Sequence, residues 1–283
     1  MPFLKKINKD FFIKDNRIYL SNDYIKEFHP KKITGSRIGA IIGLNKYVSP
    51  FQIWCQIVNI YKEEIDPTLA IVGNKIEPKI RSYVEKIMKN KYLVYDPKTI
   101  GWDVFKSNKI FGGVPDGEPI DENNNFLYDK GYPMLEIKTT SLDKLTYKII
   151  NNSFQMQKDE NGIPIVKIKN LKRLEWFSND NVIKMPNEYI AQLLLYLYLR
   201  NASCGLFAVA FLEPKDYANP DLFECDNHEI HLVELKISDR NSLNQLIKFT
   251  EDWYNKHIIN NQYSPEMTEE DKVWLDKHLK VDN

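Results

Sequence analysis

Cysteine is scarce. Cys55, Cys204 and Cys225 stand singly, with no C-x-x-C spacing. That excludes a disulfide framework, a cysteine-held structural zinc and a cysteine-ligated iron–sulfur cluster, and it points to a reducing compartment. Long apolar runs are missing too. Leu193 to Leu199, as long as any, is far too short to cross a bilayer, and Met1-Pro2-Phe3 leads into Lys5-Lys6 with no apolar run behind it. A soluble, cytoplasmic chain without membrane association is expected. No Pro/Gly/Ser-rich linker, internal repeat or low-complexity tract divides the 283 residues, so one domain with additions is expected. Net charge is also absent, with 39 basic residues against 39 acidic ones, a balance that neither advertises nucleic-acid binding nor forbids it.

What is present suffices for a sizeable core: 43% of the residues are hydrophobic and 12% aromatic. Charge is segregated along the chain. Residues 1–50 carry 10 Lys/Arg against 4 Asp/Glu, a local +6, whereas residues 213–229 hold six acids against Lys215 alone. Either a basic face or an ordinary mixed solvated surface fits this pattern.

Apolar spacing predicts the elements. A short strand is expected at Arg17–Leu20. A short helix capped by Thr34 or Ser36 and ended by Gly43 follows, and then one opened by Ser49-Pro50 through about Ile60. From Pro67 to Asn90, Leu69, Val72, Ile76, Ile80, Tyr83, Val84 and Ile87 step by three and four, an amphipathic helix that Pro78 should bend or restart. Strands are predicted around Leu93–Tyr95, Ile110–Val114, Met134–Lys138 and Leu206–Leu212, the middle two joined through a turn at Asp121–Asn125. Residues 141–186 read as a long polar insertion with a hairpin tip at Asp159–Gly162 between Phe154–Gln157 and Ile163–Ile168. Helices are predicted at Tyr189–Arg200 and from Leu243 to Ile258. The order of elements implies an α/β protein, a central mixed β-sheet flanked by helices.

The sharpest chemical cluster is Gly112-Gly113-Val114-Pro115-Asp116-Gly117, with nineteen residues separating Asp116 from Glu136 in Leu135-Glu136-Ile137-Lys138. On a strand, Glu136 and Lys138 project from one face and share a site. Asp116 is placed at the end of the preceding strand. Such carboxylates with open positions suit Mg²⁺ or Mn²⁺, and a lysine beside the metal can orient a water or stabilise charge on a phosphate. An ordinary solvated Glu–Lys pair is the alternative. Glu77 is either a further ligand or, with Asn74, a first-turn capping box. Gln192 and Tyr196, at i and i+4, can reach a common ligand or satisfy a polar spot in the core.

Taken together, Thr34-Gly35-Ser36, Gly73-x-x-x-Glu77-Pro78, Pro115-Asp116-Gly117, Glu136-Ile137-Lys138 and Pro186-x-x-Tyr189-x-x-Gln192-x-x-x-Tyr196 resemble the YqaJ viral recombinase family. That family includes phage lambda exonuclease and lies within the PD-(D/E)xK nucleases. The resemblance covers about residues 31 to 212. It implies a restriction-endonuclease-like core in which Glu77, Asp116, Glu136 and the Ile137 carbonyl hold one or two Mg²⁺ or Mn²⁺ ions. Lys138 would assist catalysis, with Gln192 and Tyr196 beside it, and Ser36 would meet a terminal 5′ phosphate with Thr34 and Arg37. The family's arginine ahead of that serine is replaced by His29-Pro30-Lys31-Lys32, where Lys31 or Lys32 can stand in only as a point charge.

The resemblance divides the chain into an N-terminal arm (1–30), a nuclease core (31–212) with the 141–186 insertion, and a C-terminal helical extension (213–283). The insertion carries a local +3 and suits either a DNA-contacting flap, with Trp176 or Phe177 as candidates for stacking on a base or an end, or an ordinary solvated hairpin. The function implied is a Mg²⁺-dependent 5′-to-3′ exonuclease that resects double-stranded DNA ends for single-strand annealing. A partner annealing protein and a homotrimeric ring are implied by kinship alone. An endonuclease of the same superfamily and a non-cleaving DNA-binding recombination protein are the alternatives.

Overall fold

The computed structural model describes residues 3–63, 66–150 and 153–279; the Met1-Pro2 start lies outside them. Strands β1 (Phe11–Lys14) and β2 (Arg17–Leu20) form a hairpin, followed by helices α1 (Asn22–Glu27), α2 (Gly35–Ile41), α3 (Pro50–Ile57) and α4 (Pro67–Met88). Next come β3 (Lys91–Leu93), α5 (Pro97–Ile100), β4 (Glu118–Ile120) and β5 (Met134–Ser141). Short strands β6 (Lys144–Leu145), β7 (Tyr147–Ile150), β8 (Ser153–Met156) and β9 (Val166–Ile168) lead to α6 (Leu171–Glu175) and α7 (Asn187–Leu199). Strand β10 (Cys204–Leu212), α8 (Pro214–Ala218), β11 (Glu229–Lys236), α9 (Arg240–Tyr254) and α10 (Glu269–Leu279) complete the order.

The central sheet is mixed. Strand β10 pairs in parallel with β5 and antiparallel with β11. Beyond β5, an antiparallel bridge between Gly117 and Leu135 leads into β4, which pairs with β3. Every residue of β10 is buried, because helices cover both faces. Alternation sorts its side chains: Leu206, Ala208, Ala210 and Leu212 join Val72, Ile76, Ile80 and Val84 of α4, while Phe207, Val209 and Phe211 join Leu193 and Leu197 of α7. The same alternation in β5 sends Leu135 and Ile137 toward α4 and leaves Glu136 and Lys138 on the α7 side.

Helix α2 lies directly on α7. A Cβ at Gly35 would stand 2.5 Å from Gln192 Cγ, and one at Gly39 would stand 2.8 Å from Glu188 Cβ. Only glycine permits so close a crossing, and it keys the helix that carries Ser36 onto the helix that carries Gln192.

Several expectations change. Helix α4 runs through Pro78 without restarting. Asp66 caps its start, accepting from Thr68 N–H at 2.8 Å, and the buried stripe on both sides of Pro78 holds the two halves in line. Asn74 and Glu77 are therefore mid-helix, and a capping box is excluded. The stretch Ile110–Val114 is not a strand of the sheet: Ile33 N–H and C=O bond to Ile110 and Gly112, and Val104 takes the Gly113 carbonyl. The Asp121–Asn125 turn instead joins Ile120 to Phe126. Consequently Asp116 precedes β4 rather than ending a strand. Helix α3 stops at Ile57, before Asn59 turns to φ 60°.

The Asp159–Gly162 tip forms as expected, but β8 pairs with β7 and β9 with β6. Trp176 is buried and Phe177 packs on Phe211 with Arg173 over its ring, so neither is free to stack on a base. The 213–283 stretch is not purely helical, since it contributes β11 to the central sheet. Among the described residues no helix is long and apolar enough to cross a membrane.

Candidate active site

Strand β5 supplies the centre of the site. Lys138 Nζ donates to Glu136 Oε1 at 2.8 Å and to Gln192 Oε1 at 3.2 Å, and it lies 4.7 Å above the Tyr189 ring. Gln192 Nε2 donates to the same Glu136 oxygen. Glu136 is thus gripped by one oxygen, while its other oxygen, Oε2, is buried with no hydrogen-bond partner. An unpaired carboxylate oxygen in the interior is costly unless something positive meets it.

Asp116 reaches this centre from the edge of the sheet. Gly117 and Leu135 exchange backbone hydrogen bonds at 3.1 and 2.9 Å; one step along, the Asp116 carboxylate accepts the Ile137 N–H at 2.7 Å. The side chain thereby does what a neighbouring strand's carbonyl would do. Because the N–H and C=O of a strand residue leave on the same edge, the Ile137 carbonyl faces Asp116 as well. From α4, Arg81 Nε donates to the Asp116 carbonyl oxygen at 3.1 Å, and Glu77 lies one turn before it.

The electrostatics follow from this crowding. Burial first, then the charge of Asp116, pushes the Glu136 carboxyl up, with Lys138 opposing. Glu77 is raised for the same two reasons, and Asp116 is raised by burial against the pull of Lys138 and the Ile137 N–H. Burial alone would lower Lys138, but Glu136 and Asp116 outweigh it and hold the ammonium charged. Three acids face two bases, Lys138 and Arg81, so with all five ionised one negative charge is left over.

Surplus negative charge and a bare Glu136 oxygen fit a small hard cation. Among the described residues no three acidic, His or Cys side chains converge tightly enough to cage an ion. The donor set that fits is therefore sparse: Asp116, Glu136 and the Ile137 carbonyl, a set that suits Mg²⁺ or Mn²⁺, ions that keep several waters.

A cavity of about 620 Å³ opens beside these groups, lined by Thr34, Ser36, Arg37, Glu77, Arg81, Asp116 and Tyr196 among others. Ser36 is exposed, with Oγ 3.0 Å from Thr34 Oγ1. Arg37 is half-buried, one nitrogen donating to the Lys32 carbonyl at 2.7 Å. The Tyr196 hydroxyl is buried and meets the backbone of Gly35 and Val114. Lys31 and Lys32 do not line this cavity. Lys32 is committed to an ion pair with Asp103 at 2.6 Å, and Lys31 is exposed, close enough to Arg37 for that charge to help lower its pKa after burial.

Arg81 was not singled out from the sequence; its signal was the i, i+4 spacing from Glu77. Trp102 and Tyr95, which also line the cavity, left no local signal. A second buried acid, Glu118, lies nearby in sequence. Arg200 grips it with two nitrogens, at 2.5 and 2.7 Å, and the hydroxyls of Tyr95 and Tyr128 donate to it as well.

Residues 25–203 match the YqaJ-like viral recombinase domain and span every residue of the cluster. The chain is 47% identical over 277 residues to the uncharacterized protein MG373 of Mycoplasma genitalium, covering 97% of this chain and 98% of that protein. It is 45% identical over 277 residues to the MG373 homolog of Mycoplasma pneumoniae, with the same coverage. Among solved structures, it is similar to an alkaline exonuclease from Laribacter hongkongensis, at TM-score 0.47 and 12% identity, covering 88% of this chain and 94% of that one. It is likewise similar to a phage related exonuclease from Haemophilus somnus, at TM-score 0.47 and 12% identity, covering 79% and 92%.

Proposed function

The chain belongs to the YqaJ-like viral recombinase family, and from that premise we propose that it is a Mg²⁺- or Mn²⁺-dependent deoxyribonuclease that resects linear double-stranded DNA from 5′ ends. The single strands so exposed would feed annealing-type recombination. The observation that carries this reading is Glu136: one oxygen is locked by Lys138 and Gln192, the other is buried and bare, and the charge of Asp116 is near enough to push the carboxyl up.

A bound divalent ion would lower the pKa of a water and neutralise charge on the scissile phosphate. The chain's own groups do the rest. Asp116, Glu136 and the Ile137 carbonyl would hold the ion, with Glu77 at the border of the set. Lys138, kept charged by its carboxylate neighbours, stands where it can orient the attacking oxygen or stabilise the negative charge that develops. Gln192 fixes the rotamers of both Glu136 and Lys138. Ser36, Arg37 and Arg81 supply a hydroxyl and two guanidinium groups to the cavity wall, a donor set that suits a terminal phosphate.

The test is a time course with Mg²⁺ on end-labelled linear duplex bearing 5′ phosphate or 5′ hydroxyl, beside a closed circular duplex. Progressive loss from the phosphorylated end with the circle intact is expected. Internal cuts or a nicked circle would move the assignment to an endonuclease, and binding without cutting would move it to a DNA-binding protein.

A further inference from the structure

Four of the five tryptophans are packed in or against the interior, whereas Trp102 is 66% exposed. Its backbone is unusual as well: φ is 63°, in the left-handed region that a bulky side chain enters only when the surroundings impose it. The surroundings do so from both sides. Gly101, at φ 70°, ends α5, and the N–H groups of Gly101 and Trp102 both turn to the Pro97 carbonyl, the latter at 2.8 Å. Asp103 is pinned in turn. It pairs with Lys32 at 2.6 Å and accepts from the Phe105 and Gly113 N–H groups at 2.9 and 3.1 Å.

This braced turn holds a large aromatic ring out of the core, and the ring lines the same cavity as Ser36, Arg37, Arg81 and Asp116. The cavity thus has two kinds of wall. Thr34, Ser36, Arg37 and Arg81 contribute hydroxyl and guanidinium groups to its lining, and Trp102 with Val94 and Pro97 contributes apolar surface. A nucleotide makes both demands at once, with an anionic phosphate and a flat base joined by a sugar.

We propose that Trp102 is the platform on which the base of the strand-terminal nucleotide stacks, while that nucleotide's phosphate lies against the arginine wall. The proposal rests on the nuclease reading above. Every base offers a π-face, so a stacking platform grips a strand end without selecting sequence, as suits an enzyme that shortens any end it meets. The left-handed backbone and the two anchors fix the point from which the side chain leaves the chain, so the backbone needs little ordering on binding.

The experiment compares wild type, Trp102→Gly and Trp102→Phe in EDTA, binding 5′-phosphorylated duplexes whose terminal nucleotide is either intact or abasic. Glycine relaxes the left-handed backbone, so folding is preserved or improved, and a melting curve checks it. Wild type should bind the intact end about tenfold more tightly than the abasic end, with quenching of tryptophan emission. Trp102→Gly should bind both ends alike and lose the quenching, and Trp102→Phe should keep most of the preference. If Trp102→Gly retained the wild-type preference while wild type still cleaved linear duplex in Mg²⁺, the platform would be overturned and the nuclease reading would stand. If wild type neither bound nor cleaved duplex, both would fall.

Discussion

Among the described residues two glutamates are almost wholly enclosed, and they are treated in opposite ways. Glu118 is saturated: Arg200 takes both oxygens and two tyrosine hydroxyls complete the set. The arginine is itself sandwiched, 4.7 Å from the Phe105 ring and 5.0 Å from the Phe126 ring. Glu136 is held by one oxygen, and the other is left bare among further acids. A fully paired buried carboxylate ties β4 to α7 and has nothing left to offer a substrate. A half-paired one stores an unmet demand for positive charge, and that demand is what chemistry can use.

The sharpest way to break this contrast is Glu136→Gln. Cleavage of labelled duplex should fall by about a thousandfold or more, because the charge that would hold a divalent ion against the phosphate is gone. The melting temperature should hold or rise, since a buried, partly unpaired charge is removed; unchanged turnover in the purified variant would remove Glu136 from the site. Glu118→Gln should do the reverse. Leaving Arg200 without its carboxylate should cost on the order of 3 kcal/mol in a denaturant titration. The fraction that remains folded should cut at close to the wild-type rate, and a normal stability would show that the pair is not structural.

Ser36→Ala is expected to be milder. It should lower the preference for 5′-phosphorylated over 5′-hydroxyl ends by about tenfold, the size of one hydrogen bond to a charged group. Equal loss on both ends would reduce Ser36 to a part of the α2 turn.

The smallest effect is in pH. Glu136, Asp116 and Glu77 are all raised above the ordinary carboxylate range by burial, Glu136 to about 8. Between about pH 4, where such groups ionise in the unfolded chain, and that raised value, the native state binds more protons than the unfolded one. Stability without metal should therefore fall as pH rises through this window. Added Mg²⁺ should reverse the loss, so its thermal shift should grow from pH 6 to pH 8. A shift independent of pH would mean that the ion binds elsewhere.

Much of this was legible because the residues declare it locally. The uninterrupted apolar run of β10, the three-and-four stepping of α4 and the Glu-x-Lys alternation of β5 each follow from periodicity, and two of the three lie in the site. Other parts depend on partners far along the chain. Ile110–Val114 looks like a strand, yet its glycines and Phe111 are used to brace Ile33 and the loop before it. Strand β11 follows the acid-rich 213–229 stretch, its apolar residues interrupted by His231 and Glu234, and only its pairing with β10 gives it a place. Trp102 reaches the cavity through the fold with no spacing in its own segment to announce it, and the i, i+4 step from Glu77 to Arg81 gains its meaning only when Arg81 meets the Asp116 carbonyl.

The contact between Asp116 and the Ile137 amide ties the site to the closing of the sheet. Asp116 accepts the Ile137 N–H as a strand's carbonyl would, so the acid is aimed by closure of the sheet edge. In a newly synthesised chain whose β5 edge is still open, that carboxylate has no backbone to hold it and points nowhere in particular. On the nuclease reading, the acid would be aligned for chemistry only once this edge has closed, so an incompletely folded chain would lack a finished site. The Ile137 amide is the natural reporter of that moment, because its hydrogen exchange should slow when the edge closes.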